Sequence, residues 1–387
     1  MTSLVERMQA ALPSMLADLE TLVTCESPSS DLSAVAASAS VVAAVGTERL
    51  GVAPEYVVVD GRTHLRWRLG DGPSRVLVLG HHDTVWPLGS LATHPFGIED
   101  GVLRGPGCFD MKTGLVMAFH ALAALPSAAG VTLLVTGDEE LGSPSSRALI
   151  EEEAAGCVAA LVLEASAEGA LKLERKGVSN YEIRIVGRAS HAGLEPELGV
   201  NASIEAAHQI LALSNLGDPS LGTSVTPTFL TSGTTRNTVP AVGSFLVDAR
   251  ARSVAEQLRV DAALHALKPV LAEASLEVLG GPNRPPLERK MSEDLYQRAS
   301  ELAASLGLSP LREISVGGGS DGNFTAGVGT PTLDGLGAIG GGAHADDEHV
   351  VVSEIAPRTA LLTALLADLL EGPADLSARP ADPLDRS

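Results

Sequence analysis

Two histidines and several carboxylates fall at places where a metal or acid–base site could be assembled. Gly80-His81-His82-Asp83-Thr84 follows the apolar run 76–79. Asp138-Glu139-Glu140 follows the run 131–136, and Glu164 follows the run 159–163. Asp110 comes just after the Gly-rich stretch Arg104-Gly105-Pro106-Gly107, and His344 ends Gly340-Gly341-Gly342-Ala343-His344. A set of imidazoles and carboxylates suits Zn2+, or a similar borderline ion such as Co2+ or Mn2+. Each residue alone is ordinary: an acid ending a strand is most often a solvated turn, and a lone histidine is more often structural than a ligand. Together they are more specific. Ionisable residues at successive strand ends share a cleft, and clustered carboxylates repel unless a cation is present.

The elements that must position these residues follow from periodicity. The first 50 residues read as two helices, one amphipathic to about Val23 and one rich in Ala, Ser and Val to about Leu50. Segments 56–60 and 65–69 alternate as strands do. The continuous apolar runs 76–79, 131–136 and 159–163 read as strands buried on both faces, with helices over 114–125 and 145–153 between them. This alternation predicts an α/β domain with a mainly parallel sheet, whose sites lie outside the carboxyl ends of its strands. After Gly177 the pattern changes. A half-exposed strand (181–186), a helix (200–214) and two strands (226–231, 244–250) are followed by a helix that opens on the capping-box pair Ser253 and Glu256. A strand over 275–279 completes a ferredoxin-like β-α-β-β-α-β order, with Pro282, Pro285 and Pro286 punctuating its end. The α/β pattern resumes with a helix (292–306), a short strand (332–336) and a last helix (355–370). The expected organisation is a discontinuous α/β domain of residues 1–176 and 286–372, an inserted α+β domain of residues 177–285, and a disordered tail of residues 373–387 that carries Pro380 and Pro383.

Composition narrows the partners. The 387 residues exceed one ordinary core at roughly 150 residues per domain. With 27 basic and 48 acidic residues the net charge is −21, which argues against nucleic acid and against an anionic membrane surface. Apolar residues make up 45% of the chain, so the acidity is not a mark of disorder. No apolar run approaches the roughly 20 residues of a membrane helix, and the N-terminus lacks the basic start and apolar core of a signal peptide. Cys25, Cys108 and Cys157 are far apart and odd in number; they suggest no disulfide framework and fit a reducing cytoplasm.

Five motifs now carry a resemblance. They are Gly80-His81-His82-Asp83-Thr84, Gly105-Pro106-Gly107-Cys108-Phe109-Asp110-Met111-Lys112, Asp138-Glu139-Glu140, Gly187-Arg188-Ala189-Ser190-His191-Ala192-Gly193 and His344-Ala345-Asp346-Asp347-Glu348. In this order they resemble the M20 family of zinc-dependent peptidases and amidohydrolases over nearly the whole chain. Gly105-Pro106-Gly107 and Pro196-Glu197-Leu198-Gly199-Val200-Asn201-Ala202 narrow the likeness to its glutamate carboxypeptidase group.

The resemblance implies a site with two Zn2+ per chain, Co2+ or Mn2+ being alternatives. His81 and Glu164 would hold one ion, His344 and Glu140 the other. Asp110 would bridge them, and in the family it precedes a cis peptide bond. Asp83 would accept a hydrogen bond from the distal nitrogen of His81 and so fix its tautomer. Glu139 would be the general base, which requires that it not be a ligand. His191 resembles the histidine that stabilises the family's oxyanion, delivered from the small domain of a partner subunit. Asn237 and Arg250 look like substrate contacts, a guanidinium being suited to a carboxylate. Gly318, in Gly317-Gly318-Gly319-Ser320-Asp321, would let backbone approach the substrate. The residues also admit plainer readings: Arg250 as an exposed strand-end residue, Asn237 as a turn residue, and His191 as the cap of its own turn. The H-x-D spacing selects His81 over His82, which would point to the opposite face of an extended segment. The spacing to Glu348 favours His344 over His349. Thr113 departs from the family, which commonly has a second Gly there. His64, His94, His120, His208 and His265 match no motif and read as structural or surface residues. Arg284, in a divergent stretch, is left aside.

The leading expectation is a dinuclear-zinc amidohydrolase or carboxypeptidase that cleaves an amide next to a free carboxylate and releases a C-terminal amino acid such as glutamate. The second is an N-acyl-amino-acid deacylase of the deacetylase or desuccinylase type. A non-catalytic small-molecule binding protein on the same scaffold is a third, against which Glu139 argues. The expected partners are a small peptide or N-acyl amino acid and a second copy of the chain. The resemblance implies a homodimer through the inserted domain, which would also act as a lid.

Overall fold

The structure, a computed structural model, describes residues 2–372; the disorder expected for residues 373–387 falls outside the described residues. The chain opens with α1 (Leu4–Val23), where Ser3 accepts from the Glu6 amide and the Glu6 carboxylate accepts from the Ser3 amide. This is a complete capping box. In α2 (Leu32–Leu50) the Asp31 side chain accepts from the amides of Ser33 and Ala34, and left-handed Gly51 ends the helix. Then come β1 (Glu55–Val59), β2 (Arg62–Leu69), β3 (Val76–His81), β4 (Gly97–Glu99), β5 (Val102–Arg104), α3 (Thr113–Ala124), β6 (Val131–Thr136), α4 (Arg147–Ala154), β7 (Ala159–Val162) and β8 (Leu171–Arg175). The next segment holds β9 (Gly177–Val186), α5 (Ala202–Leu213), β10 (Ser224–Ser232), β11 (Val242–Ala251), α6 (Val254–His265) and β12 (Ser275–Arg284). The last comprises α7 (Glu293–Ser305), β13 (Glu313–Val316), α8 (Gly322–Gly327), β14 (Thr332–Leu333), β15 (Gly340–Gly341), β16 (His349–Val351) and α9 (Val352–Glu371).

These elements divide into two units. The first takes the described residues up to Glu174, Arg289–Val316 and those from Ser320 onward; the second takes Arg175–Glu288 and Gly317–Gly319. In the first, a six-stranded sheet runs in the order β1-β2-β6-β3-β7-β14. The hairpin β1–β2 and the β2–β6 pair are antiparallel, while β6–β3, β3–β7 and β7–β14 are parallel. The fold class is therefore α/β with a mainly parallel sheet. The central strands are apolar throughout because both faces are covered. Val76 and Val78 face the core shared with α1, α2, α3 and α9, whereas Leu77 and Leu79 face Leu149 and Ile150 of α4 and Phe324 of α8. Two minor sheets, β15-β16-β5-β4 and β13-β8, complete the unit. Most of their strands are only two to four residues long.

In the second unit the order β9-α5-β10-β11-α6-β12 forms an antiparallel sheet, β10-β11-β9-β12, which is ferredoxin-like. Tyr181, Ile183 and Ile185 of β9 and Phe245, Val247 and Ala249 of β11 bury one face against Ala202 and Ala206 of α5 and Val260 and Leu264 of α6. Two sequence expectations need correction. The strand expected over 275–279 continues to Arg284, because β12 is an edge strand and a register shift between Pro282 and Arg284 accommodates the missing amide. The Ser253 hydroxyl does accept from the Glu256 amide, but the Glu256 carboxylate pairs with Arg259 and the Thr223 hydroxyl. No helix among the described residues is long and apolar enough to cross a membrane.

One buried cluster ties the helices of the first unit together. Asp18 of α1 accepts two hydrogen bonds from Arg49 of α2, both 2.7 Å, and one of 2.7 Å from His120 of α3. Burial would raise the Asp18 pKa, but Arg49 and His120 hold it below the usual value. Replacing Asp18 by Ala strands both donors and is expected to cost about 2–4 kcal/mol. Urea denaturation should show this as a lower midpoint at constant slope; an unchanged midpoint would mean the cluster contributes nothing.

Candidate metal centre

Neighbouring parallel strands deliver the site. His81 is the last residue of β3 and is paired in register with Thr136, the last residue of β6. Beyond Thr136 the chain turns through Asp138-Glu139-Glu140, and beyond β7 it reaches Glu164. Asp110 comes from the loop after β5 and His344 from the loop between β15 and β16. These five side chains converge. His81 Nε2 lies 3.3 Å from Asp110 Oδ1 and 3.6 Å from Glu164 Oε1. His344 Nε2 lies 3.3 Å from Asp110 Oδ2 and 3.1 Å from Glu140 Oε1. Two triads result, His81–Asp110–Glu164 and Asp110–Glu140–His344, each with ligand atoms within 4.8 Å of one another. They share Asp110, which turns one oxygen to each histidine. A tetrahedral ion bound at about 2.0–2.2 Å sets its ligand atoms about 3.3–3.6 Å apart. The spacings of His81 to Asp110 and Glu164 match such an ion, and those of His344 to Asp110 and Glu140, at 3.3 and 3.1 Å, come close to it.

Electrostatics point the same way. Burial disfavours charge on the His81 ring, yet hydrogen bonds to Asp110, Asp83 and Glu164 hold its pKa well above the ordinary value. His344, bonded to Asp110 and Glu140, is pushed up to about 10. Burial would raise Asp110, but the two imidazoles pull it down; Glu140 is raised by burial. The carboxylates crowded against both imidazoles favour positive charge at this position.

The supporting turns are specific. Asp138, fully buried, accepts from the Ser145 amide (2.7 Å) and hydroxyl (2.6 Å) and from the Ser146 hydroxyl (2.5 Å). The Asp83 carboxylate accepts from the amides of Glu139 and Glu140, each at 3.2 Å. His81 Nδ1 lies 2.9 Å from the Asp83 backbone carbonyl and 3.4 Å from its carboxylate. The nearer acceptor is thus the carbonyl, because the carboxylate is engaged by the turn. Either acceptor places the proton on Nδ1 and leaves Nε2 facing the triad. Glu139 is buried and belongs to neither triad.

His82 points away. Its ring meets the Thr63 carbonyl and the Ser38 hydroxyl, and burial lowers its pKa to about 4. His349 is directed at the Asp347 carbonyl and joins neither triad. The Asp110–Met111 peptide bond is cis. Thr113 is accommodated because its hydroxyl donates to the Cys108 carbonyl at 2.7 Å. The position without room is Gly114, where a Cβ would stand 2.4 Å from the Leu163 carbonyl oxygen. Glu348 is the residue whose importance sequence reasoning missed. Its buried carboxylate accepts from the amides of Gly107 (2.9 Å), Phe109 (2.9 Å) and Asp110 (3.0 Å) and from Trp86 Nε1 (2.6 Å). A cavity of about 640 Å³ lies on the Trp86 side of this group, lined by His94, Ile98, Val102 and Arg104 among others; no triad residue lines it.

The remaining candidates lie in the second unit. His191 is exposed, and its Nδ1 accepts from the Gly193 amide at 3.1 Å, so it does cap its own turn. Backbone pairing of His191 with Thr238, and of the Ala192 amide with the Asn237 carbonyl at 2.9 Å, brings His191 and Asn237 side by side. Arg250 makes a bidentate pair with Asp248, two residues back on the same face of β11. Gly318 presents its carbonyl to Arg175 at 3.2 Å and has open space where a side chain would be.

Comparison with known proteins agrees with this geometry. The profile of peptidase family M20/M25/M40 matches residues 77–368. Carboxypeptidase G2 of Pseudomonas sp. (strain RS-16) is 31% identical over 382 residues, covering 93% of this chain and 90% of that protein. Succinyl-diaminopimelate desuccinylase 1 of Alteromonas mediterranea is 26% identical over 354 residues, covering 83% of this chain and 89% of that protein. The crystal structure of aminopeptidase PepT from Bacillus cereus superposes with a TM-score of 0.72 at 22% identity, covering 94% of this chain and 99% of that one, and so shares the fold. The chain belongs to peptidase family M20/M25/M40 and is a metal-dependent hydrolase of peptide or amide bonds.

Proposed function

We propose that the protein is a dinuclear-zinc amidohydrolase of the carboxypeptidase kind, which cleaves the amide beside a free α-carboxylate and releases an amino acid such as glutamate. The observation that carries this reading is the pair of triads joined at Asp110. The likeness to carboxypeptidase G2 supports the substrate side. His81 and Glu164 would hold one ion, His344 and Glu140 the second, with Asp110 common to both; Co2+ or Mn2+ suits the same donors. When bound, such a pair supplies Lewis acidity at the scissile carbonyl and lowers the pKa of the attacking water.

The chain's own groups do the rest. Glu139, held by the Asp83 carboxylate through its amide, takes the proton of the attacking water on a carboxylate oxygen and passes it to the leaving amine nitrogen. His191 accepts at Nδ1 from Gly193, which leaves Nε2 as the donor to a developing oxyanion. Asn237, paired alongside, joins it in binding substrate. Arg250 spends Nε and Nη2 on Asp248, which leaves Nη1 for a substrate carboxylate. Gly318 offers backbone where no side chain obstructs. In this reading His191 and Asn237 serve the partner's centre in a homodimer formed through the second unit. Exposed Phe229 and Leu230 on the edge strand β10 support such pairing.

The desuccinylase relative favours a second reading, an N-acyl-amino-acid deacylase with the same machinery. A panel of N-acyl-glutamates, short peptides and N-acetylated or N-succinylated amino acids separates the two. Turnover of glutamate conjugates and peptides is expected, whereas turnover confined to acetylated or succinylated amino acids would replace the first reading with the second. Glu139→Gln should lower kcat by about 10²–10⁴-fold at unchanged metal content, measured by steady-state kinetics beside elemental analysis; undiminished kcat would remove Glu139 from the mechanism. Mixing inactive His191→Ala and Glu139→Gln chains should restore activity through heterodimers that hold one intact site. No recovery after subunit exchange would place His191 outside the partner's site.

A further inference from the structure

Glu348 stands apart from the other acids of the site. It is 3% exposed, yet it pairs with no cation among its hydrogen-bond partners, all of which are N–H groups. Oε1 accepts from the amides of Phe109 and Asp110; Oε2 accepts from the Gly107 amide and the Trp86 indole. An ionised carboxylate has about four lone-pair sites, so these donors fill it and leave none for a metal. Every donor belongs to a segment next to a triad residue. Gly107, Phe109 and Asp110 form the turn that carries Asp110 itself. Trp86 lies on the loop that leaves β3 after His81. Glu348 lies four residues beyond His344 and directly before β16, which pairs with β5 at the entrance to the Asp110 turn. One carboxylate therefore joins the chain segments that supply His81, Asp110 and His344.

We propose that Glu348 is a positioning residue for the two-metal centre: it fixes the Asp110 turn against the His344 loop so that the two Asp110 oxygens can serve both triads at once. This rests on the two-metal reading above. The effect should be unequal between the triads. His81 is the last residue of β3 and Glu164 follows β7, both strands lying inside the sheet, so these two should keep their places without Glu348. His344 is half-exposed on a loop, and its meeting with Asp110 depends on the loop that Glu348 anchors. Loss of Glu348 should weaken the Asp110–Glu140–His344 site first.

The test is cobalt(II) titration of the metal-free full-length protein, followed by the visible d–d bands, with kinetics of the cobalt form alongside. Wild type should take up two equivalents. Glu348→Gln puts an NH2 group where an acceptor is needed. It should leave the first equivalent nearly unchanged and raise the Kd of the second by about 10–100-fold, with altered bands for that ion; kcat should fall by more than KM rises. Trp86→Phe removes one donor and keeps the three amides, so it should shift the second Kd in the same direction by a smaller factor. If Glu348→Gln binds both ions with wild-type affinity and spectrum, the positioning role is overturned, whatever happens to its unfolding midpoint. If that variant does not fold, Trp86→Phe decides: a raised second Kd supports the role and an unchanged one overturns it. A wild-type protein that takes up one equivalent would overturn the two-metal reading itself, an outcome distinct from two equivalents in wild type and no change in the variants.

Discussion

Like charges in a poorly solvated pocket set the terms for the rest of the first unit. Asp83, Glu139, Glu140 and Glu164 follow the central strands, Asp110 comes from the loop after β5, and none is fully exposed. Repulsion at this spacing would open an unsupported loop structure. The fold answers with two kinds of restraint. Backbone amides and serine hydroxyls saturate the acids that are not needed as ligands, Asp138 and Glu348 above all. Asp110, Glu140 and Glu164 are left facing two imidazoles, and they favour positive charge on both rings. Divalent cations would satisfy that demand without competing for the backbone donors that shape the turns.

The sheet makes this arrangement rigid. β3 is held between two parallel neighbours, Val76–His81 paired with Val131–Thr136 of β6 and Val76–Leu79 with Ala159–Val162 of β7, and its side chains are buried on both faces. His81 inherits that precision because it ends the strand. Glu139 and Glu140 inherit it indirectly, through Asp83 and Asp138. Rigid strands thus supply one half of the centre, and a loop stitched down by hydrogen bonds supplies the other.

Much of this was legible in the sequence. The apolar runs 76–79 and 131–136 announce buried parallel strands, and acids and histidines directly after them announce a site at their carboxyl ends. The choice of His81 over His82 follows from side-chain alternation, and the buried contacts of His82 with Thr63 and Ser38 agree with it. What escaped has physical causes. β4, β5, β15 and β16 are two or three residues long, too short to show a period. Pro282 reads as a terminator unless β12 is known to lie at an edge. Glu348 enters the sequence reading only as the end of the His344 motif; its role is not legible there because its partners are main-chain amides and one indole, gathered only by the tertiary fold. The engagement of Arg250 by Asp248 could have been anticipated, since residues two apart on a strand share a face.

The second unit looks like a simple insertion in the order of its secondary structure, yet three glycines change its connectivity. Gly317–Gly319 belong with it, although the residues on either side belong with the first unit. The chain therefore passes between the units four times, after Glu174, Glu288, Val316 and Gly319. Arg175, which binds the carbonyls of Gly318 and Gly319, holds the returning strand of the chain to the unit's own first residue. Excision of residues 175–288 would leave these carbonyls without their guanidinium, and transplanting the same residues elsewhere would leave the guanidinium without its carbonyls. The unit is not a portable module. Moving it intact would require carrying a second, distant segment, Gly317–Gly319, along with residues 175–288.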